Sequence, residues 1–109
     1  MRFVLVAMIA ILVPISNVFA AGVITSVKNV GTYGSGRLFV ELNSSIPEAN
    51  CPVARFDLEP NHSKINQIIS IVLSAQATGK SVHVKTNGCY AGYPTMDETT
   101  ASYIYIKGD

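Results

Sequence analysis

No stretch of this sequence stays apolar for the ~20 residues that a membrane-crossing helix needs. Its longest such run, Phe3 to Val13, is about 11 residues. The two signs of charge nearly balance, with eight Lys and Arg against seven Asp and Glu. That balance argues against a nucleic-acid partner, which asks for a basic patch or stripe, and against electrostatic capture by anionic lipid. The two cysteines do not form a C-x-x-C pair, which removes the usual redox motif. The two histidines lack the H-x₃₋₅-H spacing of a metal site, and no serine lies in a G-x-S-x-G elbow. There is no internal repeat and no low-complexity tract.

What is there begins with a secretory signal. Arg2 is a short positive start, Phe3 to Val13 is the apolar stretch, and Pro14 breaks the helix that stretch would form. Val18-Phe19-Ala20 then places small residues at positions −3 and −1 of a cleavage site before Ala21. The competing readings are an uncleaved anchor and a buried core helix. The expectation is a cleaved signal over residues 1–20, a single domain over 21–109, a secreted or periplasmic location, and no stable membrane insertion after cleavage. With Arg2 removed, seven basic residues face seven acidic ones.

In an oxidising compartment an even cysteine count reads as a bridge, so Cys51 and Cys89 are expected to form a disulfide. A reactive thiol is the alternative.

Hydrophobic patterning gives the order β-β-β-α-β-β. Val23 to Val30 reads as the first strand, followed by a turn over Gly31 to Gly36 whose glycines tolerate positive φ. In Arg37 to Leu42, Leu38, Val40 and Leu42 share one face, and Arg37, Phe39 and Glu41 the other. Asn43 to Pro52 reads as a loop, and Val53 to Leu58 as a strand with Phe56 and Leu58 inward. A helix follows, with Asn61 as N-cap and Gly79 at its C-terminal end. Ile65, Ile68, Ile69, Val72 and Ala75/Gln76 form its apolar stripe, widened by Ile71 and Leu73. Ser81 to Lys85 alternates again, Asn87-Gly88 signals a tight turn, and Tyr90 to Thr100 reads as a loop. Ala101 to Lys107 is the last strand, with Ile104 and Ile106 opposing Tyr103 and Tyr105.

A mainly β chain of five strands, with one helix between the third and fourth, has the order of a small OB-type five-stranded barrel. A signal segment, a cysteine loop and an apolar helix running into Ala75-Gln76-Ala77-Thr78-Gly79-Lys80-Ser81-Val82-His83-Val84 add a more specific likeness. Over about Arg37 to Val84 the sequence resembles the small exported B subunits of the subtilase-cytotoxin and typhoid-toxin type. That resemblance implies an OB-fold subunit assembling as a homopentamer, with pockets for sialylated glycans and a catalytic toxin subunit as partner. The chain departs from the family in its shorter C-terminal region and fewer cysteines.

No catalytic constellation stands out, and no cofactor is implied. His62 and His83 read as surface histidines, and Asp57 and Glu59 do not complete a recognisable metal set. Asp97-Glu98 reads as a solvated loop pair. Asn43-Ser44-Ser45 and Asn61-His62-Ser63 are glycosylation sequons, which carry meaning only in a eukaryotic host. The five tyrosines are the more informative feature, because each offers an apolar face and a hydroxyl, which suits a sugar ring or a protein interface. Tyr103 and Tyr105 either cover the barrel or pack between subunits. Tyr33, Tyr90 and Tyr93, with Arg37, are the candidate ligand-binding residues. The expected function is a non-catalytic exported module that binds a glycan or a protein; the alternative is a structural or inhibitory periplasmic accessory protein without a small ligand.

Overall fold

A computed structural model describes residues 22–108; the expected signal segment and Asp109 lie outside the described residues. The strands are β1 (Val23–Thr25), β2 (Val27–Thr32), β3 (Leu38–Ile46), β4 (Val53–Leu58), β5 (Val82–Lys85), β6 (Cys89–Tyr90), β7 (Tyr93–Pro94) and β8 (Tyr103–Ile106). The helix α1 spans Ile65–Thr78. All pairings are antiparallel and give three small sheets, ordered β1-β5-β8, β2-β3-β4 and β6-β7. No closed barrel forms among the described residues.

The alternating segments fold as their patterning predicts. Leu38, Val40 and Leu42 face inward from β3, Phe56 and Leu58 from β4, Val82 and Val84 from β5, and Ile104 from β8. They form one core with Ile68, Val72 and Ala75 of α1, so the two three-stranded sheets and the helix share a single apolar interior.

The first expected strand is in fact two. It breaks at Ser26, where the Ser26 carbonyl accepts the Asn43 N–H at 3.1 Å and Ser26 Oγ accepts from Asn43 Nδ2 at 2.6 Å. Before the break the chain pairs with β5, after it with β3, so one continuous segment serves two sheets. β3 also runs on through Asn43-Ser44-Ser45 to Ile46, where a loop is expected from its polarity. Ile46 is buried and pairs with Val53 across a bulge, and that pairing extends the strand.

The helix begins later than Asn61. Lys64 is its first flanking residue and makes no side-chain cap. Instead, Glu98 accepts both the N–H and the Oγ–H of Ser63, and His62 Nδ1 accepts the Lys64 N–H. The C-terminus follows expectation: Gly79 is left-handed at φ 72°, a conformation with no Cβ penalty for glycine. Ile68, Val72 and Ala75 are buried, Ile65, Ile69 and Ile71 flank them half-buried, and Leu73 points to solvent instead of widening the stripe. Ile68→Ala should therefore cost about 2–5 kcal/mol in urea unfolding, whereas Gln67→Ala on the exposed face should cost less than about 0.5 kcal/mol. Equal tolerance at the two positions would contradict this helix orientation.

Candidate functional site

Period-2 geometry sends Phe39 and Glu41 of β3, and Arg55 and Asp57 of β4, to the outer face of the β2-β3-β4 sheet. Phe39 pairs with Asp57 on one side and Gly31 on the other, and its ring lies over the glycine. A Cβ at Gly31 would sit 2.6 Å from the ring tip, so only glycine leaves room for this placement. Arg37 immediately precedes β3. Tyr33 is folded back toward it by a turn in which the Tyr33 N–H donates to the Arg37 carbonyl and the Gly36 N–H to the Tyr33 carbonyl, both at 2.9 Å.

The other two candidate tyrosines arrive from the far end of the chain. Tyr90 and Tyr93 pair across the β6-β7 hairpin, whose turn is Ala91-Gly92 with φ 56° and 86°. Positive φ at both central residues is the type I′ requirement, and it places the tight turn four residues beyond the expected Asn87-Gly88. Gly88 does have positive φ, but Asn87 and Gly88 pair with Thr95 and so extend the hairpin stem. Three ties hold this hairpin down. Thr95 Oγ1 donates to the Asp57 carbonyl at 2.6 Å, Asn87 Nδ2 donates to Asp97, and Cys89 is bridged to Cys51.

Tyr33, Arg37, Tyr90 and Tyr93, read from the sequence as separate loop candidates, thus share one surface. Its centre is Asp57, which is fully buried. Arg55 donates to both Asp57 oxygens, Nε at 2.7 Å and Nη2 at 2.9 Å, and Arg37 Nε adds a third bond at 2.9 Å. Arg55 Nη2 also donates to the Tyr33 hydroxyl at 2.8 Å. Hydrogen bonding to Asp57 outweighs burial and raises the Arg55 pKa further above its ordinary high value. The guanidiniums are stacked as well as paired. Arg55 lies 3.9 Å from the Tyr93 ring centre and 4.9 Å from that of Phe39; Arg37 lies 4.3 Å from Tyr33 and 5.8 Å from Tyr90.

Two cations around one anion leave the cluster with a surplus positive charge. The terminal nitrogens of Arg37 have no protein partner among the described residues, and its side chain keeps 22% of its exposure against 13% for Arg55. A forked donor between the Tyr33 and Tyr90 rings suits an incoming carboxylate. Beside it, Lys28, Glu41, Val53, Arg55 and Tyr93 line a hollow of about 330 Å³.

Arg55, Asp57 and Phe39 are the neighbours of these candidates that sequence reasoning missed. The available signal was Arg55-Phe56-Asp57, where both charges share the face opposite a core phenylalanine. Asp57 goes to the arginines and not toward the histidines. His62 is buried, contrary to its expected surface position, because both ring nitrogens serve the main chain: Nδ1 accepts from Lys64, and Nε2 lies 3.3 Å from the Asp97 carbonyl. That pairing sets the Nε2–H tautomer and leaves the ring a structural role.

Asp97 is likewise more than a solvated loop residue. Burial would raise its pKa, but hydrogen bonds from Asn87, Thr99 and Ser102 prevail and lower it to about 2. His83 is half-buried on the outer face of β5, where Nδ1 lies 2.8 Å from the Tyr105 hydroxyl.

The chain matches no known protein family, no curated protein and no solved structure. Among the described residues, no helix is long and apolar enough to cross a membrane.

Proposed function

We propose that the chain is an exported, non-catalytic binding module whose ligand is an acidic carbohydrate, held on the Tyr33-Arg37-Tyr90-Tyr93 surface. The observation that carries this reading is the uncommitted Arg37 fork flanked by two tyrosine rings, with its Nε anchored on buried Asp57. A sugar stacks on an aromatic face, and its carboxylate takes the guanidinium. The Cys51–Cys89 bridge is compatible with an extracellular or periplasmic location.

An OB-type barrel is the architecture that accompanies this proposal. In its favour, β8-β5-β1 runs through Ser26 into β2-β3-β4, so one bent strand joins two sheets, and the helix lies between β4 and β5. That is the strand order of a partly open OB barrel with its last seam unpaired. The likeness to toxin B subunits adds assembly as a homo-oligomeric ring of five and a catalytic toxin subunit as partner; it rests on the sequence motif alone.

The test is a glycan array read with parent protein, Arg37→Gln and Tyr90→Ala. Arg37→Gln leaves the two Arg55 bonds to Asp57 in place, so the fold should persist. Sialylated or otherwise carboxylated glycans should bind in preference to neutral ones. Arg37→Gln should lose about tenfold or more in affinity, the scale of one charge-assisted hydrogen bond, and Tyr90→Ala should weaken binding through the lost ring face, each with little change in melting temperature. A folded parent that binds no glycan, with tyrosine variants that lose stability instead, would favour the structural or inhibitory accessory protein.

A further inference from the structure

The balanced charge of the whole chain conceals a segregation that only the fold exposes. The segments that build the β1-β5-β8 sheet and its margins, residues 22–26, 80–86 and 102–108, contain no Asp or Glu but carry Lys80, Lys85 and Lys107. Their inward residues Val82, Val84 and Ile104 belong to the shared core, so the alternate residues point away from it.

That outer face is apolar at its centre. Ile24 pairs with His83 and His83 with Tyr105, while Tyr103 pairs with Lys85. Ile24 is 50% exposed, Tyr105 48% and Tyr103 38%. The two tyrosine rings stack at 5.9 Å and the His83 ring packs 5.2–5.4 Å from each. The platform is close-packed: a Cβ on Gly22 would lie 2.2 Å from His83 Nε2. At its margin a hollow of about 410 Å³ is lined, among the described residues, by Ile24, Gly79, Lys80, Ser81, Lys107 and Gly108, which bring two ammonium groups and no carboxylate; Asp109 follows Gly108 in the sequence and lies outside the described residues.

We infer that this face is a peripheral docking surface for an anionic phospholipid bilayer. Lys80 and Lys107 take lipid phosphates at the marginal hollow, Lys85 adds a third positive charge, and Ile24 and the tyrosine pair enter the headgroup zone. Tyrosine and an aliphatic side chain with lysines at both ends of the face is the composition of an interfacial contact; Asp97 and Glu98 lie only along the Tyr103 edge. Ile24 decides between lipid and a polyanionic chain, because a sulfated polysaccharide has no use for a half-exposed isoleucine. The surface is separate from the Arg37 cluster: the two sheets turn their outer faces away from one core, so a glycan and a bilayer are bound independently.

Sedimentation with vesicles of equal parts phosphatidylglycerol and phosphatidylcholine, against phosphatidylcholine alone, tests this. The mixed vesicles should bind the protein and the neutral ones should not. Binding should fall steeply between about 0.1 M and 1 M salt, as the screening length shrinks from ~10 to ~3 Å. The double variant Lys80→Gln, Lys107→Gln should bind roughly 30-fold more weakly, from about 1 kcal/mol per lysine. Ile24→Asn should bind about tenfold more weakly, on the scale of one aliphatic side chain returned to water. Lys64→Gln, at the opposite end of α1, should leave binding unchanged. Equal binding to both vesicles, no loss in the double lysine variant, or capture by immobilised heparin with Ile24→Asn unaffected would each overturn the proposal. Because none of these readouts involves Arg37 or Tyr90, the outcome does not depend on the carbohydrate reading.

Discussion

Asp57→Ala should lower the unfolding free energy by about 3–5 kcal/mol, the cost of leaving buried charge without its partner. Asp57 is fully buried and receives three guanidinium bonds, so the substitution strands two half-buried cations side by side. Small domains have only about 5–15 kcal/mol in all, which makes this a large fraction of the stability. The damage should extend to the surface above. Arg55 would lose the anchor that sets it under Tyr93 and beside the Tyr33 hydroxyl, so the aromatic walls of the proposed site should loosen together. Urea unfolding of Asp57→Ala against Arg37→Gln is the decisive comparison. Arg37→Gln removes one bond of three and leaves the Arg55 pair intact, so it should cost well under half as much. Equal losses would mean that Arg37, not Arg55, is the principal partner.

Replacing Cys51 and Cys89 together by alanine should cost about 4 kcal/mol, from the chain entropy of a closed loop of this length. The two cysteines are 38 positions apart, and α1 lies between them. The loss should be uneven. Cys89 opens a hairpin with only two residues in each strand, too short to stand alone. On the other side, Cys51 follows Glu48, a buried carboxylate that accepts from Thr86 Oγ1 at 2.5 Å and ties the same two segments a second time. The expected result is a lower unfolding midpoint together with an earlier, local loss of order at Tyr90 and Tyr93, read by amide hydrogen exchange. A midpoint unchanged under reducing conditions would show that the Thr95–Asp57 and Thr86–Glu48 bonds suffice by themselves.

The elements legible in the sequence are those with one wet face and one dry face. Leu38-Val40-Leu42, Val82-Val84 and Ile104-Ile106 alternate because each strand packs on one side only, and Ile65, Ile68, Val72 and Ala75 keep helical spacing for the same reason. Gly79 is legible as the helix end because left-handed backbone penalises any Cβ. Cys51 and Cys89 are legible as a pair because no other cysteine is present to compete.

The misreadings occur where distant contacts outweigh local pattern. Asn43-Ser44-Ser45 has no apolar alternation, yet it is strand, because its backbone lies between Asn43–Ser26 and Ile46–Val53 pairings. The helix start shifts from Asn61 to Lys64 because Glu98, 35 positions from Ser63, supplies the capping acceptor. His62 is buried because the Asp97 carbonyl meets its ring from an equal distance along the chain.

Taken alone, the sequence determined the class of the domain, its bridge and its core faces, all of which follow from short-range period and from counting. It also named Tyr33, Arg37, Tyr90 and Tyr93, but as residues on two loops more than fifty positions apart. Only the tertiary structure decided that they meet, through a hairpin fastened to β4 and a buried Asp57 that draws two arginines to one point. It alone decided, too, that Lys85 of the β1-β5-β8 sheet and Lys80 and Lys107 at its margin gather on one face. Net charge is a sum over the chain, whereas a surface is selected by which strands lie side by side.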